Sequence, residues 1–290
     1  MNITLDTKLV GLLGKPLRQS FSQAMHNAAF EATGLDYFYL PTETEEDEVG
    51  AVLNGMRYMN YAGLNVTKPY KLTVMQYLDE IAESAQIAGA VNTIVVKDKK
   101  LIGYNTDGDG FLKSLVDEAG AKLEGCKLFM TGAGGAARAI CIALAYHHPE
   151  KIYITGRRNV NSSKLAAEIN EKICPCAIHV VSGDMEQMRA AVEDSDIVVN
   201  GSGLGMYPHL DETPMPKEWL RSDQIVGDLT YNPLKTKFLQ EAEAIGCRTL
   251  NGMGMLVNQG VKAFELWTGV DAPVEVMKAV VYKKFAPEAL

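Results

Sequence analysis

The sequence predicts an α/β protein of two domains, from its length, the rhythm of its apolar residues and one glycine-rich turn. With 290 residues, the chain can hold about two domains, each with its own core. Beyond Asp107 strand-like runs alternate with helix-patterned segments, which implies a parallel sheet covered by helices on both faces. The glycine-rich turn, Gly132 to Ala137, falls between one such strand and the following helix.

The first element is a β-favouring run, Lys8 to Leu13, followed by turn residues. Met25, Ala28, Ala29 and Ala32 then recur at helical spacing, and Gly34 is a natural stop. Asp36 to Leu40 reads as a strand; Val49, Val52, Leu53, Met56 and Met59 form a helical stripe; Ala62 to Val66 reads as the next strand. Pro69 suits the first turn of a helix. Ala90 to Val96 and Lys100 to Tyr104, separated by Lys97-Asp98-Lys99, read as a hairpin. In the second half, strands are expected at 127–131, 151–155, 177–181, 196–200, 225–229 and 247–250. Six strands make a complete doubly wound dinucleotide-binding sheet. The tail from Met253 to Leu290 contains helical stretches and no strand. We expect an N-terminal domain of residues 1–105, completed by helices in 251–290, and a second domain of residues 106–250, with a cleft between them.

Composition narrows the class. Hydrophobic residues make up 47% and charged residues 22%, ordinary usage for a folded chain. Lys and Arg number 28 against 36 Asp and Glu, a net charge of −8, which argues against a broad grip on nucleic acid or anionic lipid. No apolar run approaches the ~20 residues of a membrane span, and Met1 to Gly14 reads poorly as a signal peptide, so a cytoplasmic protein is expected. Cys126, Cys141, Cys174, Cys176 and Cys247 are scattered, as reduced thiols are. Cys174-Pro175-Cys176 has no second Cys or His pair nearby, and no metal is expected.

The segment Gly132-Ala133-Gly134-Gly135-Ala136-Ala137 is a G-x-G-x-x-A turn after a strand and before the helical run Arg138 to Tyr146. Gly132 permits the tight turn, Gly134 lets the backbone approach a pyrophosphate, and Ala137 permits close helix–sheet packing; the helix start supplies N–H donors to an anion. A glycine-rich turn without a ligand is the competing reading. The turn nevertheless points to a Rossmann domain. The next strand ends in Gly156-Arg157-Arg158-Asn159, where an NAD site commonly has an acidic residue. Two guanidiniums suit a 2′-phosphate, so NADP is expected, with NAD possible.

The candidate reactive residues lie outside that turn. Lys71 follows Asn65-Val66-Thr67-Lys68-Pro69-Tyr70; in the first turn of a helix its ammonium would be disfavoured and the amine easier to deprotonate, as acid–base work requires. A solvated lysine reads equally well. Asp107, after Tyr104-Asn105-Thr106, opens a helix; it or Thr106 could be a simple N-cap, or Asp107 could pair with Lys71 at a cleft mouth. Ser20-Phe21-Ser22-Gln23 resembles a capping box, and its two hydroxyls could also seat a carboxylate at the helix start.

With Ser20-Phe21-Ser22, Met25-His26-Asn27, Asn65 to Lys71, Gly89-Ala90-Val91-Asn92-Thr93, Tyr104 to Gly108 and Gly132 to Ala137, the sequence resembles the shikimate dehydrogenases, including the quinate/shikimate dehydrogenases. Asp228-Leu229-Thr230-Tyr231-Asn232-Pro233 and Gly252 to Gln259 extend the resemblance over nearly the whole chain. It implies NADP-dependent, reversible reduction of 3-dehydroshikimate to shikimate, on the route to aromatic amino acids, by a monomer or homodimer. It also implies roles: Lys71 and Asp107 as the catalytic pair, Ser20 and Ser22 at the substrate carboxylate, and Asn92, Asp107 and Gln259 at ring hydroxyls. Thr67 and Thr106 would line the pocket, Tyr231 would lie near substrate or cofactor, and Gly132, Ala133, Gly134, Gly135, Ala136, Arg157, Arg158 and Gly252 would hold the cofactor. Gln19, Gly156 and Ser202-Gly203 depart from the usual pattern, while Thr67, where quinate-using relatives often have serine, favours shikimate. The competing readings are a quinate/shikimate or aminoshikimate dehydrogenase using NAD or NADP, and a non-catalytic dinucleotide-sensing protein.

Overall fold

The computed structural model describes residues 3–285 apart from 19, 157, 158, 176, 182 and 183. The chain divides into two compact units, Met1–Thr106 with Val257–Leu290, and Asp107–Leu256.

The first unit contains β1 (Lys8–Leu13), α1 (Ser22–Thr33), β2 (Tyr37–Thr42), α2 (Val49–Met56), β3 (Tyr61–Val66), β4 (Glu80–Ile81), α3 (Glu83–Ala88), β5 (Thr93–Lys97) and β6 (Lys100–Tyr104). Its sheet runs β2-β1-β3-β5-β6-β4. β1 pairs in parallel with β2 and β3, whereas β5 pairs antiparallel with β3 and β6. The β5–β6 hairpin turns through Asp98 and Lys99 at φ 51° and 61°, the left-handed pair that matches the twist of two-residue hairpins. Leu13, Leu53, Leu64, Val74 and Ile94 are fully buried in one core cluster. α1 stops at Gly34, whose left-handed φ of 68° lets its N–H reach the carbonyls of Phe30 and Glu31.

Two local expectations fail in this unit. No α-helix starts at Pro69: residues 68–72 are turns leading to a single 3-10 stretch, Thr73–Tyr77. The dipole argument for Lys71 therefore loses its helix. Ser20 and Gln23 do not form a capping box either, because α1 begins at Ser22 with Phe21 as N-cap and no side-chain cap. Ser20 instead accepts from the Ser22 N–H at 3.3 Å, a local turn competing with helix extension. The short strand β4 carries too little periodicity to read in advance.

The second unit contains α4 (Asp107–Ala119), β7 (Lys127–Thr131), α5 (Gly135–Ala145), β8 (Lys151–Thr155), α6 (Asn159–Lys172), β9 (Ile178–Val180), α7 (Met185–Asp194), β10 (Ile197–Asn200), β11 (Ile225–Asp228), α8 (Lys237–Ile245) and β12 (Arg248–Leu250). Every strand pair is parallel, in the order β12-β11-β10-β7-β8-β9. Chain order reverses direction between β7 and β10, the switch point where doubly wound sheets bind ligands at their carboxyl ends. Phe129, Val198, Val226 and Phe238 are fully buried in its core. α4 packs on α5 through Gly108, where a Cβ would collide with the Ala139 carbonyl.

The chain ends in α9 (Met253–Thr268) and α10 (Val274–Phe285). Within the first unit, α10 packs on α1, and the Trp267 indole on α9 donates to the Ile94 carbonyl at 3.0 Å. Gly63 makes room for that indole. Among the described residues no helix is long and apolar enough to cross a membrane.

Candidate active site

In the second unit the site grows from three strand ends. Thr131, Asn200 and Asp228 are the last residues of β7, β10 and β11, and the sheet register sets them side by side. Asn200 Oδ1 accepts from Thr131 Oγ1 (3.1 Å), Ser202 Oγ (2.6 Å) and Ser202 N–H (3.1 Å). Its amide Nδ2 donates to the Leu204 carbonyl and to Asp228 Oδ2, both at 2.9 Å. Asp228 also accepts from the Thr230 N–H (2.9 Å) and Thr236 Oγ1 (2.8 Å). Burial raises the Asp228 carboxyl above its ordinary range, and these donors oppose the rise. The knot fixes the Gly201–Gly205 loop beneath the glycine turn.

A cavity of about 690 Å³ lies there, lined by Thr131, Gly132, Gly134, Thr155, Gly156 and Ser202 among others. Gly132 has φ +89°, and a Cβ on it would stand 2.5 Å from the Gly201 carbonyl oxygen. Only glycine satisfies both constraints. Cβ positions on Gly134 and Gly135 point into open space, so their small size leaves a free approach to the backbone. Gly134 is the N-cap of α5, and the first helical acceptor bond is Arg138 N–H to the Gly134 carbonyl at 2.9 Å. The N–H groups of Gly135, Ala136 and Ala137 thus precede any intrahelical acceptor, the arrangement that receives a phosphate. These residues fit a dinucleotide cofactor. Arg157 and Arg158, assigned to the 2′-phosphate, lie outside the described residues. Gly252 has a packing reason for being glycine, since a Cβ would strike the Leu229 carbonyl. Tyr231 is 39% exposed in the turn after β11. Asp107 is partly buried at the first position of α4, carried by the Gly108 contact with α5.

In the first unit, hydrogen bonds join Asn92, Thr106 and Gln259 from three separate segments. Thr106 N–H donates to Asn92 Oδ1 at 2.8 Å, Asn92 Nδ2 donates to Thr106 Oγ1 at 3.0 Å, and Thr106 Oγ1 donates to the Gln259 carbonyl at 3.1 Å. The Thr106 hydroxyl thus serves this cluster. Lys71 is tied to the same place through its backbone: its carbonyl accepts from Val91 N–H at 2.8 Å, one residue before Asn92. The Asn92 carbonyl in turn accepts from Val66 N–H at 2.7 Å, beside Thr67. Thr67 N–H bonds the Leu13 carbonyl at 2.9 Å, and Gly14 leaves room for the threonine methyl. Ser20 and Ser22 pair through their hydroxyls at 3.3 Å. Tyr39, Asn65 and Thr93, which join this cluster, and Asn200 in the second unit were not among the expected site residues. Their signal was available: each is a polar side chain on an otherwise apolar strand, and a buried polar group needs a partner.

Comparison with known proteins adds the family. Residues 12–94 match the profile of the shikimate dehydrogenase substrate binding domain, and residues 252–282 that of the Shikimate 5'-dehydrogenase C-terminal domain. The chain is 41% identical over 283 residues to shikimate dehydrogenase (NADP(+)) of Alkaliphilus oremlandii, covering 97% of this chain and 99% of that one. Among solved structures it resembles Shikimate 5-dehydrogenase from Listeria monocytogenes in complex with shikimate and NAD, with TM-score 0.92, 42% identity, and 97% and 98% of the two chains covered. It also resembles quinate dehydrogenase from Corynebacterium glutamicum in complex with NAD, with TM-score 0.86, 33% identity, and 95% and 98% covered.

Proposed function

The chain belongs to the shikimate dehydrogenase family, and from that premise we propose that it catalyses the NADP-dependent, reversible reduction of 3-dehydroshikimate to shikimate. Full-length similarity to a shikimate dehydrogenase (NADP(+)) carries the substrate, and the open glycine cradle at the switch point supports the cofactor.

The Gly132–Ala136 turn, with Arg157 and Arg158 at the 2′-phosphate, would hold NADPH, which supplies the hydride when bound. The protein's own residues do the rest. The Lys71 ammonium donates a proton to the oxygen that becomes the C3 hydroxyl, and takes it back in the reverse direction. Asp107 accepts a hydrogen bond from that hydroxyl. Ser20 and Ser22 donate to the ring carboxylate, a role that two hydroxyls at the start of α1 suit. Asn92 and Gln259 bind ring hydroxyls, Thr67 and Thr106 line the pocket, and Tyr231 lies near substrate or cofactor. In this scheme the first unit takes the substrate and the second the dinucleotide. The enzyme works in the cytoplasm as a monomer or homodimer, which light scattering distinguishes.

Similarity to a quinate dehydrogenase makes quinate the competing substrate. Initial rates with shikimate and quinate, each with NAD+ and NADP+, decide the matter. The expected result is the highest kcat/KM for shikimate with NADP+; a higher value for quinate, or no turnover of either, overturns the reading.

A further inference from the structure

With no helix after Pro69, Lys71 stands on a turn, and its long, flexible side chain can deliver an amine to one oxygen only if the backbone beneath it is held. Backbone bonds hold it in part. Lys15 N–H donates to the Lys68 carbonyl at 3.1 Å, Tyr70 N–H to the Thr67 carbonyl at 3.0 Å, Val91 N–H to the Lys71 carbonyl at 2.8 Å, and Val74 N–H to the Tyr70 carbonyl at 3.0 Å. These bonds set the course of the chain without any particular side chain in the turn.

The side chain next to Lys71 adds a tie of another kind. Tyr70 is 2% exposed, and its ring belongs to the core cluster of Val49, Leu53 and Val74. A phenylalanine ring would fill nearly the same space, so packing gives no reason for the hydroxyl. A buried phenol needs an acceptor, and Tyr70 Oη donates to the Thr44 carbonyl at 2.5 Å, 26 residues back along the chain. Thr73 Oγ1 donates to Glu46 Oε1 at 3.0 Å, on the same distant segment. The two straps leave the turn at residues 70 and 73, one on each side of Lys71. Their anchor is itself braced. Thr44 Oγ1 and the Glu45 N–H both donate to Glu48 Oε2, at 2.9 and 3.3 Å, and Glu43 Oε1 accepts from the Leu17 N–H at 2.6 Å.

We propose that Tyr70 is a positioning residue for Lys71: its buried hydroxyl, with Thr73 as a weaker second strap, fixes the turn to the 43–48 segment and so sets where the amine can reach. The proposal rests on the reading of Lys71 as the proton donor. Without the phenol oxygen the turn keeps its backbone bonds and its buried ring, but the buried Thr44 carbonyl loses a donor and residues 70–73 gain freedom. The amine then spends less time at the reacting oxygen, a loss that falls on kcat rather than on the binding of substrate or dinucleotide.

The test is steady-state kinetics of the full-length protein with shikimate and NADP+, with NADPH affinity by fluorescence and Tm for each variant. Tyr70→Phe is expected to lower kcat at least fivefold, with shikimate KM and NADPH affinity within twofold of wild type. Thr73→Val should lower kcat by a smaller factor, about twofold. In a Lys71→Ala background Tyr70→Phe should cost no further kcat, because the group it positions is gone, although Tm still falls. Leu101→Ala opens the same core cluster from β6, and should lower Tm at least as far while kcat stays within twofold. An active wild type impaired by Lys71→Ala, with kcat unchanged in Tyr70→Phe, overturns the positioning role alone. So does a Tyr70→Phe loss that persists in full without Lys71, or a kcat that follows Tm in Leu101→Ala. If Tyr70→Phe fails to fold, an unchanged kcat in Thr73→Val overturns it. A wild type inactive with shikimate, or a fully active Lys71→Ala, overturns the underlying reading and the straps with it.

Discussion

Under the candidate site of the first unit the buried polar groups are neutral: Tyr39, Asn65, Thr93, Asn92 and Thr106 satisfy one another by hydroxyl and amide hydrogen bonds. Under the cradle of the second unit the comparable cluster is built round a carboxylate, Asp228, which binds Asn200, Thr230 and Thr236. Burial favours the neutral form in both, raising the Tyr39 phenol in the first unit as it raises the Asp228 carboxyl in the second. The same burial lowers His26, stacked on Tyr39, to about 3. A neutral network suits a subsite that meets uncharged ring hydroxyls, since hydroxyls and amides can both donate and accept. A buried carboxylate suits a loop anchor, since an acceptor-only group gathers several donors at one point.

The sharpest break between the units comes from catalysis. Lys71→Ala is expected to lower kcat about 10²–10⁴-fold, the usual contribution of general acid–base catalysis, with NADPH affinity unchanged by fluorescence titration. An active variant would remove Lys71 from the mechanism. The complementary change, Gly132→Val, puts a branched side chain at φ +89° against the Gly201 carbonyl. Strain of about 1–3 kcal/mol should weaken NADPH binding roughly 10- to 100-fold while shikimate binding, followed calorimetrically, persists; unchanged NADPH affinity would refute the cradle.

Asp228→Ala strands the Asn200 amide and the Thr236 hydroxyl, a loss of about 1–3 kcal/mol for buried donors. A lowered Tm and a raised NADP+ KM should appear together. Asp228→Asn keeps the volume and should lose less of both; if Asp228→Ala leaves the NADP+ KM untouched, the knot does not support the loop.

A pH-dependent difference concerns His26. Its folded pKa, about 3, lies below the ordinary histidine value of 6.5, so the unfolded chain binds the extra proton between those values. Its contribution to stability is therefore complete above pH 6.5 and falls on acidification, by about 1.4 kcal/mol per unit within the window. Asp228 works in reverse: its folded pKa is raised above 3.8, so its contribution is greatest below 3.8 and declines as pH rises through the folded value. Denaturant unfolding from pH 7 to 4 should show His26→Phe with a flatter profile than wild type. Equal slopes would mean that His26 is not the titrating group.

Much of the architecture could be read from residue order. The strands at 127–131 and 151–155 appear with those bounds, because parallel strands buried on both faces are short apolar runs between polar turns. The cradle was legible because its glycines answer to local backbone geometry. The region after Pro69 was not: proline at a helix start is permissive, and nothing local says that the following turns will be held by the Lys71 carbonyl pairing with Val91. The Ser20 cap failed for a related reason, since its oxygen had a nearer partner in the Ser22 N–H.

Sequence alone determined what depends on near neighbours: the α/β alternation, the glycine turn, the hairpin at Asp98-Lys99 and the residue types available for acid–base chemistry. Tertiary structure decided what depends on distant segments meeting. It set Thr131, Asn200 and Asp228 side by side through strand register, and it joined Tyr39, Asn65, Asn92 and Thr106 into one chain. The physical reason is that a hydrogen-bonding side chain has many possible partners along a chain, and only burial, which removes water from the competition, selects among them.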